Sequence, residues 1–166
     1  MVVLVAYDSL KVWSVWVKTP LLRGAEILIA SECLQAVNPE LFKELSNGKV
    51  TLLACPEREP AAYYGKIASI IRSSKPKKIT VVTIDGSPHC FALQASVNEA
   101  EYILGESIER EHYVVVNGRK LIRISPNTIR VARYLGLVNE IIEKNPTWVE
   151  RLKELSEEFR RAQQYK

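Results

Sequence analysis

Three short, almost unbroken apolar runs, Glu26 to Ala30, Val50 to Ala54 and Ile79 to Ile84, constrain this 166-residue chain more than any other feature. A strand covered on one face alternates apolar with polar residues, whereas a strand covered on both faces reads as a continuous apolar run. The runs begin 24 and 29 residues apart, which leaves room for one helix in each interval. Pro39 to Leu45, stopping near Asn47-Gly48, and Pro60 to Ser73, stopping near Pro76, fill those intervals with standard start and stop residues. Units of this kind cross over right-handedly, so the three strands are predicted to be parallel.

The flanks complete an α/β chain. Val2 to Tyr7 and Val12 to Val17 are rich in β-branched and aromatic residues with Asp8-Ser9 between them, a pattern expected of a hairpin or two short strands. A third helix is expected from Pro88 to about Leu104, ended by Gly105. Tyr113 to Val116 and Leu121 to Ile124 flank Asn117-Gly118, a type I′ hairpin signal expected at one edge of the sheet. Ser125-Pro126 opens a helix predicted to run to about Lys144, and Asn145-Pro146-Thr147 separates it from a final amphipathic helix carrying Trp148, Leu152, Leu155 and Phe159. The expectation is a single domain over 1–166 with a mainly parallel central sheet and helices on both faces. Its parts are a strand pair at 1–18, a βαβ core at 25–105, a hairpin at 110–125 and C-terminal helices at 126–166.

Hydrophobic residues make up 47% of the chain and charged residues 25%, with seven Gly and eight Pro, which disfavours disorder and low-complexity linkers. The longest apolar runs, Met1 to Tyr7 and Ile79 to Ile84, fall far short of the ~20 residues needed to span a bilayer, so no membrane helix is expected. The stretch to Asp8 carries neither a basic leader nor a small-residue cleavage site, and a cytoplasmic location is expected. The single Met, with abundant Lys, Glu, Arg, Ile and Val, resembles thermophile usage.

Cysteine placement points to a site. Cys33, Cys55 and Cys90 each follow one of the three apolar runs, so a parallel sheet would bring all three to its carboxyl edge, where open α/β sheets bind ligands. An odd number of cysteines without a secretion signal argues against a disulfide framework, although intracellular disulfides do occur in thermophiles. Within Asp85-Gly86-Ser87-Pro88-His89-Cys90, Gly86 permits a tight turn, Ser87 suits an N-cap and Pro88 the first helical position. Cys90 then falls in the first helical turn, where orphan N–H groups favour a thiolate. Asp85 could orient His89 or act as a base. Cys90, His89 and Asp85 are therefore the candidate catalytic residues.

The same residues suggest metal ligation. Zinc would accept Cys55, His89 and Cys90 with Cys33, a carboxylate or water as the fourth ligand, and an iron–sulfur cluster could use the three cysteines. Cys55-Pro56-Glu57-Arg58 followed by a strand and the Gly86 to Cys90 loop resembles, over these few residues, the zinc site of β-carbonic anhydrases. That family uses C-x-D-x-R and H-x-x-C with a longer interval, so the resemblance implies loops that converge on a metal and not the activity. No phosphate-binding glycine loop, dinucleotide fingerprint, nucleophile elbow or H-E-x-x-H motif is present.

The alternative class is a non-catalytic binding or assembly module. Lysines and arginines exceed acids by four, a modest excess for a nucleic-acid binder. Arg119, Lys120, Arg123, Arg130 and Arg133 nevertheless form a basic series with no acid between them, suited to an anionic partner. The stripe from Trp148 to Phe159 could pair two copies of the chain into a homo-oligomer.

Overall fold

The computed structural model describes residues 10–59 and 63–164, which divide into two compact units, Met1–Ile124 and Ser125–Lys166. The first unit is built on a six-stranded sheet: β1 (Leu10–Lys11), β2 (Glu26–Ser31), β3 (Val50–Ala54), β4 (Lys78–Ile84), β5 (Arg110–Val116) and β6 (Lys120–Ile124), in the spatial order β1-β3-β2-β4-β5-β6. Every neighbouring pair is parallel except β5–β6. The parallel relationship predicted for the three apolar runs holds, and the central position of β2 explains why Ile27 to Ser31 are buried without a break.

Side chains alternate across the sheet and divide the core in two. Ile27, Ile29, Leu52, Ala54, Ile79 and Val81 pack with α3 (Tyr63–Ser74) and α4 (Pro88–Leu104). Leu28, Ala30, Leu53, Val82 and Val115 pack with α1 (Leu34–Val37) and α2 (Pro39–Ser46) on the opposite face. The boundaries follow local chemistry. Asn38 caps α2 by accepting from Leu41 N at 3.0 Å, and Ser87 caps α4, which ends on Gly105 at φ 65°.

The edge hairpin forms as expected, with Asn117 and Gly118 at φ 49° and 70°, the left-handed pair that a type I′ turn requires. The second member of the expected N-terminal strand pair does not form a strand. Val2 to Tyr7 lie outside the described residues, and Val12 to Val17 are turns. Val12 N continues the ladder to Leu53 O at 2.9 Å, after which Val15 N turns back to Lys11 O at 2.9 Å. Val12 and Val15 are the buried members while Trp13 and Trp16 face solvent, so the apolar content anchors a helical-type turn with a spacing of three and not a pleated strand.

The second unit is helical: α5 (Pro126–Ala132), α6 (Leu135–Lys144), α7 (Thr147–Glu150), α8 (Leu152–Leu155) and α9 (Glu157–Gln164). The continuous helix predicted from Ser125 to Lys144 is interrupted at Tyr134, φ −104° and ψ 87°, just before the weak helix former Gly136. The single amphipathic helix predicted beyond Pro146 is also divided. Ser156 leaves the helical region at φ −110° and ψ 114° and its Oγ accepts from Phe159 N at 3.1 Å, because a serine ahead of Glu157 and Glu158 makes a better helix start than a helix interior. No helix among the described residues is long and apolar enough to cross a membrane.

Candidate thiol site

The chain leaves β2 toward one face of the sheet, into α1, and leaves the neighbouring β4 toward the other, into α4. Two adjacent parallel strands whose connections diverge open a crevice at their carboxyl ends, the usual ligand position in such sheets. Ser31 ends β2 in register with Ala54, the residue before Cys55, and Cys33 lies two residues further on. Across the crevice from α4, Cys90 Sγ lies 3.1 Å from Ser31 Oγ. All three cysteines are free thiols at this edge: Cys90 buried, Cys55 half-buried and Cys33 exposed.

The α4 start has the predicted construction. Gly86 adopts φ 83°, Pro88 occupies the first turn, and Ser87 Oγ accepts from Cys90 N at 3.3 Å. The Cys55 loop is held by its own backbone: Arg58 N and Glu59 N donate to Cys55 O at 3.0 and 3.1 Å, while Cys55 N donates to Glu59 Oε2 at 3.1 Å.

Glu32, just past the end of β2, connects that strand exit to the Cys55 loop and to β1. Its carboxylate accepts from Arg58 Nη2 at 2.5 Å and from Lys11 Nζ at 3.1 Å, and these two hydrogen bonds, Arg58 first, hold its pKa below the usual carboxylate value. Arg58 is in turn held protonated, first by Glu32 and to a lesser degree by the Cys55 thiol. Cys33 is exposed as a residue, yet its sulfur is partly desolvated. That desolvation pushes its pKa up, and the charges that Cys90 and then Cys55 would carry push the same way.

The expected catalytic trio is only partly assembled. Cys90 points inward to Ser31, whereas the half-exposed His89 points away, its Nδ1 4.0 Å from Glu57 Oε2. Asp85 is exposed and forms no ion pair or hydrogen bond with His89; its backbone N donates to Val115 O at 3.1 Å. Successive residues on a helix face different directions, and here the difference separates the imidazole from the thiol. Among the described residues no three His, Cys, Asp or Glu form a group able to hold a metal ion. The residues expected as ligands for zinc or an iron–sulfur cluster, Cys55, His89, Cys90 and Cys33, thus form no such group among the described residues. In the basic series, Arg123 pairs with Glu111 at 3.3 Å and Arg130 Nη1 donates to Asn127 Oδ1 at 2.8 Å.

Ser31, Glu32 and Arg58 gain their importance from tertiary contacts, and only Arg58, as a cation three residues after a cysteine, left a trace in the sequence. A buried polar network was equally silent. His112 Nδ1 and Gln94 Oε1 lie 2.6 Å apart, and His112 Nε2 accepts from Arg110 Nε at 3.2 Å, so Nδ1 carries the proton in a neutral ring. Gln94 Nε2 donates to Thr83 Oγ1 at 2.9 Å and to Tyr113 O at 2.8 Å, which binds α4 to β4 and β5.

No solved structure matches the chain. An uncharacterised protein of Archaeoglobus fulgidus (strain ATCC 49558 / DSM 4304 / JCM 9628 / NBRC 100126 / VC-16) is 32% identical over 106 residues, covering 63% of this chain and 74% of that protein. The family model described as a Rossmann-like domain matches residues 19–165, and the chain belongs to that family.

Proposed function

We propose that this Rossmann-like domain carries a reactive-thiol site at the carboxyl edge of its sheet, with Cys55 as the nucleophile. The observation that supports this reading is the fixed Cys55 loop, in which Cys55 N donates to Glu59 Oε2 at 3.1 Å and Arg58, three residues after the thiol, is held by Glu32 at 2.5 Å. The sulfur anion is the attacking species in alkylation, group transfer and disulfide exchange, and a fixed guanidinium is a hydrogen-bond partner for it. Cys55 is also half-buried at a strand exit braced by Pro56, so its position is fixed while one side stays open. Cys90, His89 and Asp85 shape the other side of the crevice.

Site-resolved alkylation with iodoacetamide at pH 7 tests the reading. Cys55 is expected to react first, and Arg58→Ala to slow it by about three- to tenfold. Cys55 reacting no faster than a free cysteine, or indifferent to Arg58→Ala, overturns it.

A second reading, assembly of two copies, draws support from the second unit. Trp148, Leu152 and Leu155 are 53%, 39% and 45% exposed, and Ile129 is the one buried hydrophobic residue among its described residues. Exposed apolar clusters of this kind mark interaction surfaces.

A further inference from the structure

We infer that the seam between α4 and β5 is a proton-sensitive latch over Cys90, with His112 as the group that senses the proton. Cys90, Gln94, Asn98 and Glu101 follow one another at spacings of four, four and three, so they share one face of α4. Each is held to the sheet. Cys90 meets Ser31 of β2 at 3.1 Å, Gln94 meets Thr83 of β4 at 2.9 Å, and Asn98 and Glu101 meet Arg110 of β5 at 3.0 and 2.7 Å. Gln94 lies one helical turn from Cys90 and contacts His112 directly, at 2.6 Å, which links the thiol to the ring.

The His112 ring is fully buried, and its surroundings leave no place for a second proton. Gln94 Nε2 donates to the Tyr113 carbonyl at 2.8 Å, which fixes the amide and leaves Oε1 facing His112 Nδ1. Nδ1 therefore donates, while Nε2 accepts from Arg110 Nε at 3.2 Å. A proton on Nε2 would set two N–H donors and two positive charges against each other away from water. Asn98 Oδ1 gives that proton no outlet, because Arg110 Nε and Nη2 already donate to it at 3.2 and 3.0 Å. The charged side chains of the seam are Arg110 on β5 and Glu101 on α4, which engage each other through two hydrogen bonds at 2.7 Å. On either side, β4 and β6 place Val81 and Ile124 in register with His112.

The strength of this latch depends on pH. In the opened seam His112 meets water and takes a proton at about pH 6.5, the ordinary histidine value. In the closed seam it stays neutral, so the opened form binds more protons and gains as the pH falls through that value. Against a neutral closed form, the opening equilibrium rises roughly 25-fold between pH 7 and pH 5, a window above the ordinary carboxylate range. Opening at Gln94 frees the first turn of α4, and acid thereby exposes a thiol that neutral pH keeps covered. The latch holds independently of the reactivity of Cys55.

The test is labelling of the full-length chain with excess 4,4′-dithiodipyridine between pH 5 and 7, resolved by peptide and divided at each pH by the rate in the urea-unfolded chain. Cys90 labelling is expected to rise about 25-fold from pH 7 to pH 5 in the unsubstituted protein. In His112→Asn, which keeps a donor toward Gln94 but carries no group that titrates in this window, the rise is expected to be about twofold at most. A flat Cys90 profile in the unsubstituted protein, or the same rise in the variant, overturns the latch. Imidazole ¹⁵N shifts of the unsubstituted chain decide the matter even where the variant does not fold. The chain has two histidines, His89 and His112, and His89→Gln assigns their signals. His112 is expected to keep the neutral Nδ1–H signature in the folded protein down to pH 5.5. A smooth change to imidazolium near pH 6.5 with the fold intact overturns the proposal.

Discussion

Cys90 Sγ and Ser31 Oγ, buried at 7% and 1% exposure, meet at 3.1 Å across the crevice between β2 and β4. The thiol that sequence position alone nominates as most activated is thereby the least accessible. Cys90 is expected to resist alkylation in the folded protein and to react in step with unfolding across a urea series. Ser31→Ala removes a weak buried hydrogen bond and should cost about 1 kcal/mol by denaturant titration.

Glu32 makes stability depend on pH in a predictable direction. Its folded-state pKa is depressed below the usual 4.5, first by Arg58 and then by Lys11. As the pH falls, the unfolded chain therefore takes up a proton before the folded one does. The Glu32 contribution is fully present above pH 4.5 and disappears as pH drops through the lower folded value. Denaturant titrations between pH 3 and 7 should show a smaller acid loss for Glu32→Gln than for the unsubstituted protein, by up to about 1 kcal/mol.

Arg110 tests the buried network. Its guanidinium, at 6% side-chain exposure, meets Glu101 at 2.7 Å, Asn98 Oδ1 at 3.0 Å and His112 Nε2 at 3.2 Å. Removing the carboxylate leaves a buried cation without its counter-charge, so Glu101→Ala should cost about 3 kcal/mol. Thermal unfolding of Glu101→Ala beside an exposed control such as Glu154→Ala checks this.

Gly118 is constrained twice. Its φ of 70° strains any residue with a side chain, and a Cβ there would lie 2.9 Å from Val37 Cγ1. Its carbonyl also accepts from Asn38 Nδ2 at 3.1 Å, which ties the hairpin tip to the start of α2. Gly118→Ala should destabilise by about 1–3 kcal/mol in equilibrium unfolding, more than Gly24→Ala, whose φ is similar but whose surroundings are open.

For assembly, sedimentation of the native chain should show a dimer that Leu152→Asp and Leu155→Asp dissociate without unfolding, because both positions are solvent-facing within one copy. A native monomer would remove this reading.

Much of the parallel sheet was legible because strands buried on both faces announce themselves: β2, β3 and β4 read as apolar runs, and Asn117-Gly118 specified the hairpin through backbone sterics. The same rule misread Val12 to Val17, where an apolar segment serves a turn. Periodicity missed the breaks at Tyr134 and Ser156, which depend on one residue's dihedral angles. Strand ends correctly brought the cysteines to one edge, yet the direction of each side chain belongs to tertiary packing. Thus Ser31 claims Cys90, Glu57 approaches His89, and Glu32 holds Arg58 near Cys55.

The strand order β1-β3-β2-β4-β5-β6 has a consequence for how the chain emerges during synthesis. β2 can gain β3 as a partner soon after both leave the ribosome, but its other edge waits for β4, which arrives only after α3. Until then the nascent chain presents one side of its most apolar strand, Ile27 to Ala30, as an open template for intermolecular pairing. Loop-closure entropy slows each parallel crossover, while the β5–β6 hairpin closes locally within about 1–10 μs. Translation speed through α3 should therefore govern the yield of soluble chain more strongly than speed through the helices after Ile124.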